Sequence, residues 1–243
     1  MVKKLIRQIL GVAVLEGKVW QRQPLWIFQG IITVLGLTIT LFAWGGGSAL
    51  RNLVIAFFVT GGWTLGLNIV AQNIGWDKVN FFYEHYVASP ITLPIYFTGM
   101  VLGAMPIFLV NVIPALIIFL ILAMDFSLMP SILMLSVLSA ILGAFISLSV
   151  ILRMKNPANI SAITNPLLTL TIMLPPIYYP LSLLPPIWRE IVLIVPTVPL
   201  MELSRWLVHI PIGYTPILSL TLLLLWLVLA TILVLKKLNW GLE

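Results

Sequence analysis

Between residues 76 and 91 the chain reads WDKVNFFYEHYVASPI, and Asp77, Lys78, Glu84 and His85 gather there four groups able to hold protons or meet a partner's charges. Their isolation makes them conspicuous, because residues 52–76 and 85–124 contain no Asp, Glu, Lys or Arg. Val79, Phe82, Tyr83 and Tyr86 fall at i, i+3, i+4 and i+7, an apolar stripe, while Asp77, Lys78, Asn80, Glu84 and His85 occupy the rest of the helical wheel. Pro90 stops the helix from running on. The pattern predicts a short amphipathic helix over 77–88, either an ordinary interfacial loop helix or a docking knob for a soluble partner.

Other candidate chemistry is weaker. GVAVLEGKV at 11–19 imitates a phosphate-binding loop, but it has five residues between the glycines and Val19 where a magnesium-binding hydroxyl is needed, and no strand precedes it. His85 and His209 lie far apart and the chain has no cysteine, so no metal site is expected and disulfides are excluded. Uncharged polar residues are frequent in the apolar stretches. Asn68 and Gln72, with Asn165 and Thr169 further on, are candidates to line a path through a membrane. A path without titratable groups is unlike that of an ion-driven carrier, which commonly holds ionisable residues in its spans.

The elements that must position these residues follow from composition. Of 243 residues, 61% are hydrophobic and 8% charged, far below the quarter or so typical of a soluble domain. Six intervals free of Asp, Glu, Lys and Arg are long enough to cross a bilayer: 23–50, 52–76, 85–124, 126–152, 156–188 and 206–235. Backbone groups in lipid must pair within their own segment, so these read as six helices. With the N-terminus on the cytoplasmic side, Lys3, Lys4, Arg7, Lys18, Arg22, Lys78, Arg153, Lys155, Lys236 and Lys237 fall inside. Arg51, Arg189 and Arg205 fall outside. Both termini are therefore expected in the cytoplasm, and the net charge of +6 reflects topology and anionic lipid rather than nucleic acid.

Residues 1–24 are expected to form a retained interfacial helix, with Leu5, Ile6, Ile9, Leu10, Ala13 and Trp20 on its apolar side. Spans are expected at about 25–43, 52–75, 93–123, 130–152, 160–174 and 216–235, followed by a cytoplasmic tail over 236–243. WGGGS at 44–48 is read as a flexible turn, RMKNPAN at 153–159 as a turn on the opposite side, and Gly62 with Gly66 and Gly99 with Gly103 as close-packing pairs. After the fifth span, five prolines between 175 and 186 forbid a straight helix. The apolar residues 187–200 are too few to span and read as a re-entrant half-helix.

In this order, these features resemble the membrane-spanning permease subunits of ABC-2 type ABC exporters, over essentially the whole chain. The architecture is similar: an interfacial helix, six spans and a hairpin between the last two. FFYEHYVASPI supplies Glu84, Tyr86, Val87, Ser89 and Pro90 where that family has a Gly-Thr-Leu-Glu stretch leading to Ser-Pro, with Phe81 and Phe82 standing where Gly and Thr are usual. In YYPLSLLPPIWREIVLIVPTVPLMELSRWL, Pro180, Pro185, Pro196 and Arg205 match the family's spaced prolines and arginine.

The resemblance implies a non-catalytic subunit of the cell membrane that works as a dimer with a second copy or a paralogue. ATP and magnesium are held by a separate ATP-binding cassette subunit, and this chain binds no cofactor. It implies a coupling helix at 77–88 whose Asp77, Lys78, Phe82, Tyr83, Glu84, His85 and Tyr86 meet that partner. The Pro180, Pro185, Pro196 and Arg205 hairpin is implied as an outer gate, and the polar residues of the first, second and fifth spans as the path. A hydrophobic or amphipathic small molecule or drug is the expected cargo, since the loops are too short for a carbohydrate-binding domain; a lipid-linked glycan is the alternative within the family. A stand-alone secondary carrier or channel is the competing class.

Overall fold

Proline sets the helix starts. Pro24, Pro94, Pro106, Pro130, Pro186 and Pro216 each stand in a first helical turn, where the missing N–H has no partner to lose. The computed structural model describes residues 2–22, 24–154 and 159–236, and they form helices α1 (Val2–Gln21), α2 (Pro24–Thr64), α3 (Ala71–Val79), α4 (Phe82–Ala88), α5 (Leu93–Gly103), α6 (Met105–Ile121), α7 (Met129–Ile151), α8 (Ile160–Ile172), α9 (Pro186–Val192), α10 (Thr197–Leu207) and α11 (Pro216–Leu235). A π-helical segment, Leu65–Val70, joins α2 to α3 without a break. The described residues contain no strand. Lys155, Lys237, the centre of the 153–159 turn and the tail beyond Lys236 lie outside the described residues.

Among the described residues, three helical stretches are long and apolar enough to cross a membrane: Ile27–Val79 with 53 residues, Phe126–Ile151 with 26 and Pro216–Leu235 with 20. Helices α5 and α6, bent by 47° at Ala104, make a fourth if counted as one, and α8 is apolar but shorter. The first stretch is not straight. Gly46 has φ 56° and ψ −143°, backbone open in practice to glycine alone. Gln29, Gly30 and Thr33 then share a cavity wall with Thr60 and Thr64, although on a straight helix Thr33 and Thr64 would stand about 46 Å apart. The segment read as a flexible turn is thus a reversal made at one residue, with the flanking Trp44, Gly45, Gly47 and Ser48 helical.

Glycine pairs set the packing. A Cβ at Gly62 or Gly66 would strike the backbone of Ser136 or Ala140, and one at Gly143 would meet Trp63 and Leu67. The π segment and α7 are therefore in backbone contact, and Ser136 and Ser139 donate across it to the carbonyls of Phe58 and Val59 at 2.6 and 2.8 Å. Gly99 and Gly103 serve α1 instead, receiving Val12 and Glu16. Along α1 it is Val12, Glu16 and Trp20 that are buried, while Leu5, Ile6 and Leu10 are exposed. The expected apolar side is split between the bundle and the surroundings because α5 takes only one narrow strip of it.

Candidate functional site

At the end of the molecule that carries Lys78, Arg153 and Lys236, α3 emerges from the bundle, and the charged stretch does not form one helix. The helix ends at Val79, Asn80 N–H still donates to Trp76 O at 2.9 Å, and Phe81 takes φ 61°. Helix α4 then starts a new phase at Phe82. Asp77 and Lys78 consequently belong to the end of the long helix, which corrects the single helix expected over 77–88.

The break also re-sorts the stripe. Tyr83 is buried, and Tyr86 packs half-buried on the core with Val79; Phe81, Phe82, Glu84 and His85 are exposed. Tyr96 of α5 is the anchor. Its ring lies 6.2 Å from that of Tyr83, edge-on, and 4.8 Å from that of Tyr86, and its hydroxyl donates to Asp77 Oδ2 at 2.6 Å. Lys78 Nζ sits 5.9 Å from the Tyr83 ring centroid, within cation–π range. Of the seven expected docking residues, Tyr83 and Tyr86 fasten α4 to Tyr96, Asp77 ties the end of α3 to the same residue, and Phe82, Glu84 and His85 face outward beside Phe81, with Lys78 exposed at the edge.

A second carboxylate, absent from the sequence-derived candidates, joins this region to α1. Glu16 accepts from Trp20 Nε1 at 3.0 Å and from Asn73 Nδ2. Burial raises its pKa to about 7, the Trp20 and Asn73 hydrogen bonds acting against the shift and Asp77 adding to it. Gln8 Nε2 donates to Pro90 O at 2.7 Å, so α1 holds the far end of the α4 loop as well. Only the odd position of a Glu at i−4 from a Trp on an otherwise basic helix hinted at this.

The four candidate path residues do come together. Gln72 Nε2 contacts Asn68 Oδ1, donates to Thr164 Oγ1 at 2.5 Å and reaches Asn165 Oδ1 at 3.5 Å, while Ser161 donates to Gln72 Oε1 at 3.2 Å. Asn68, Gln72 and Asn165 line a cavity of about 390 Å³ with Trp20, Trp76 and Ser161. Asn68 and Thr169 line another, of about 260 Å³, with Thr33, Thr60, Asn111 and Tyr178. The two share Asn68 and Ile69 and together form a polar trail between α2, the π segment, α3 and α8; none of its lining residues is charged.

At the opposite end, α8 gives way to the proline-rich segment. Pro180 and Pro185 are exposed at the starts of a 3-10 turn and of α9, whereas Pro196 is buried at the start of α10. The apolar residues read as one half-helix over 187–200 divide into α9, whose Ile187, Trp188 and Ile191 are exposed, and α10, buried from Thr197 to Arg205. Pro196, with Pro199 in the first turn of α10, forces that division. Arg205 clasps the segment. Its guanidinium donates to Asn52 Oδ1 at 2.8 Å, to Glu202 Oε1 at 2.7 Å and to the carbonyls of Pro176, Ile177 and Tyr179 at 2.8, 3.1 and 2.8 Å. Glu202 Oε2 in turn accepts from Gly213 N at 2.5 Å and Tyr214 N at 3.3 Å. Asn52 and Glu202 were not among the expected hairpin residues: Asn52 owes its place to Arg205 and Ile177, more than a hundred residues away, whereas the Glu202–Arg205 pair is local, at i,i+3 spacing on α10.

A family model described as ABC-2 type transporter matches residues 9–209, from within α1 to just beyond α10. No curated protein matches the chain.

Proposed function

The chain belongs to the ABC-2 type transporter family, as a membrane-embedded permease component, and we propose that it forms the translocation path of an ATP-driven exporter as a dimer, coupled to separate ATP-binding subunits through α4. The observation that carries this reading is the mounting of α4. Its exposed Phe82, Glu84 and His85, with Phe81 just before them, present an aromatic and charged knob, while Tyr83 and Tyr86 pack the helix on Tyr96 of α5, whose hydroxyl in turn holds Asp77 of α3. A push on the knob is thereby delivered to α3 and on to the unbroken π segment that carries Asn68. ATP and magnesium belong to the partner in this reading.

Six crossings suit the helices: the two legs of α2 on either side of Gly46, the second continuing through α3, then α5 with α6, α7, α8 and α11. Helix α1 lies in the cytoplasmic interface, both termini are cytoplasmic, and α9–α10 close the path from outside. A dimer would bring two polar trails face to face. The uncharged, partly aromatic walls suit a hydrophobic or amphipathic small molecule.

Reconstitution into proteoliposomes with and without an ATP-binding cassette subunit tests the class; transport without that subunit identifies a stand-alone carrier instead. Glu84→Lys tests the knob. The expected outcome is ATP hydrolysis that persists while coupled transport falls about tenfold or more, as removal of a charge contact worth 1.5–3 kcal/mol requires. Unchanged coupled transport removes α4 from the role.

A further inference from the structure

We propose that the groove between α5 and α11, floored by α7, is a binding site for one anionic phospholipid. Helix α5 leans on α1 rather than on α7 or α11, which leaves a crevice open to the surroundings. Phe97 and Pro94 form one wall, Val234 and Leu235 the other, and Phe145 and Leu148 the floor, around a cavity of about 290 Å³. Phe97 and Phe145 meet edge-on at 6.2 Å across its base. Beyond them the groove continues beside the π segment, past Val101, Met105 and Ala140, and Phe97 and Ile141 line both parts. The Ser136 hydroxyl at the far end is turned away to Phe58 O, so the inner part offers apolar surface to its occupant.

Length and charge identify that occupant. From Leu148 to Ser136 the floor runs about 18 Å at the α-helical rise, and one leaflet of a hydrocarbon core is about 15 Å deep. One acyl chain fits the groove end to end. At the Leu148 end Arg153 donates through Nη2 to Leu233 O at 2.8 Å, which pins a guanidinium beside the mouth, and Lys236 follows Leu235 directly. Both cations are exposed, and α5, α7 and α11 contain no acidic residue. A headgroup at this mouth meets two positive charges with no carboxylate on the groove's own helices, which selects a phosphatidylglycerol-like anion over a zwitterion.

The test uses the full chain purified in detergent and offered phosphatidylglycerol and phosphatidylcholine with identical acyl chains, with retained lipid counted by native mass spectrometry. Phosphatidylglycerol is expected to be retained preferentially, and Lys236→Gln and Arg153→Gln are each expected to cut the preference about fivefold, the factor corresponding to about 1 kcal/mol per cation near a membrane surface. Ile141→Trp, which fills the groove, is expected to lower retention of both lipids, and Ile217→Trp, on the other end of α11, to lower neither. Equal retention of the two lipids by the wild-type chain overturns the proposal. A measurement on the wild type avoids folding defects in the variants: phosphatidylglycerol with a mid-chain diazirine is expected to cross-link within 97–105 and 136–148. Adducts spread evenly over the lipid-facing helices overturn the site.

Discussion

Arg205 is fully buried, and five acceptors surround its guanidinium. Removing one partner of a buried ion pair costs about 3–5 kcal/mol because the other is left uncompensated, so Arg205→Ala is expected to lower thermal stability in detergent severely. Arg205→Lys is expected to rescue little, since an ammonium cannot reach Asn52, Glu202 and three carbonyls at once. Rescue by Lys comparable to wild type would show that charge alone suffices. Glu16 makes a prediction in pH. Its folded pKa of about 7 lies above the ordinary 4.5, so the folded chain binds a proton that the unfolded chain releases. Its contribution is fully favourable below about pH 4.5 and is lost as pH rises through about 7, a change on the order of 3 kcal/mol at one pKa unit per 1.36 kcal/mol. Melting curves of the wild type and Glu16→Gln should therefore diverge as pH rises across that window, with the Gln variant the more stable at pH 8. Parallel curves would place the ionised carboxylate in water.

At the scale of elements, the α3–α4 junction is where local sequence and backbone disagree. Phe81 adopts φ 61° and ψ 8°, a left-handed conformation that costs a side-chain-bearing residue about 1–2 kcal/mol. The backbone demanded by the turn is met here by a bulky residue under strain. Phe81→Gly is expected to raise stability by about 1 kcal/mol, and Phe81→Ala, which keeps the Cβ, to give no such gain. If the exposed ring meets the ATP-binding subunit, both variants should lose co-purification of that subunit. Loss with neither variant, together with the stability gain, would make Phe81 a feature of the turn alone. The inward side of Tyr83 and Tyr86 was legible from their spacing, and the exposure of Phe82 was not, because the helix restarts after the left-handed Phe81 and only the position of Tyr96 decides which side of the new helix is covered.

For the whole molecule, the arrangement about the membrane can be read directly, since the chain has no cysteine of its own. Single cysteines at Ser48, Ser127, Ser182 and His85, all exposed, are expected to divide three against one. A membrane-impermeant maleimide should label the first three on intact cells and His85 after permeabilisation. Labelling of Ser182 with His85 would put the proline-rich hairpin on the cytoplasmic side and remove its reading as an outer gate.

Charge-free stretches and prolines by themselves determined that the chain is helical, where most helices start, and that the segment after α8 cannot be a straight helix, because these follow from local backbone chemistry. The pairing of Asn68, Gln72, Asn165 and Thr169 as candidates was likewise legible, since polar groups in apolar helices must meet one another. Only the tertiary structure decided that Gly46 alone reverses the chain, that Gly99 and Gly103 receive α1, that Glu16 is buried against Asn73, and that Arg205 closes on Asn52 and the carbonyls of Pro176, Ile177 and Tyr179. Each of these depends on which side chain a distant segment brings to a given place. A residue's spacing from its neighbours records the face it occupies, but not what will be packed against that face.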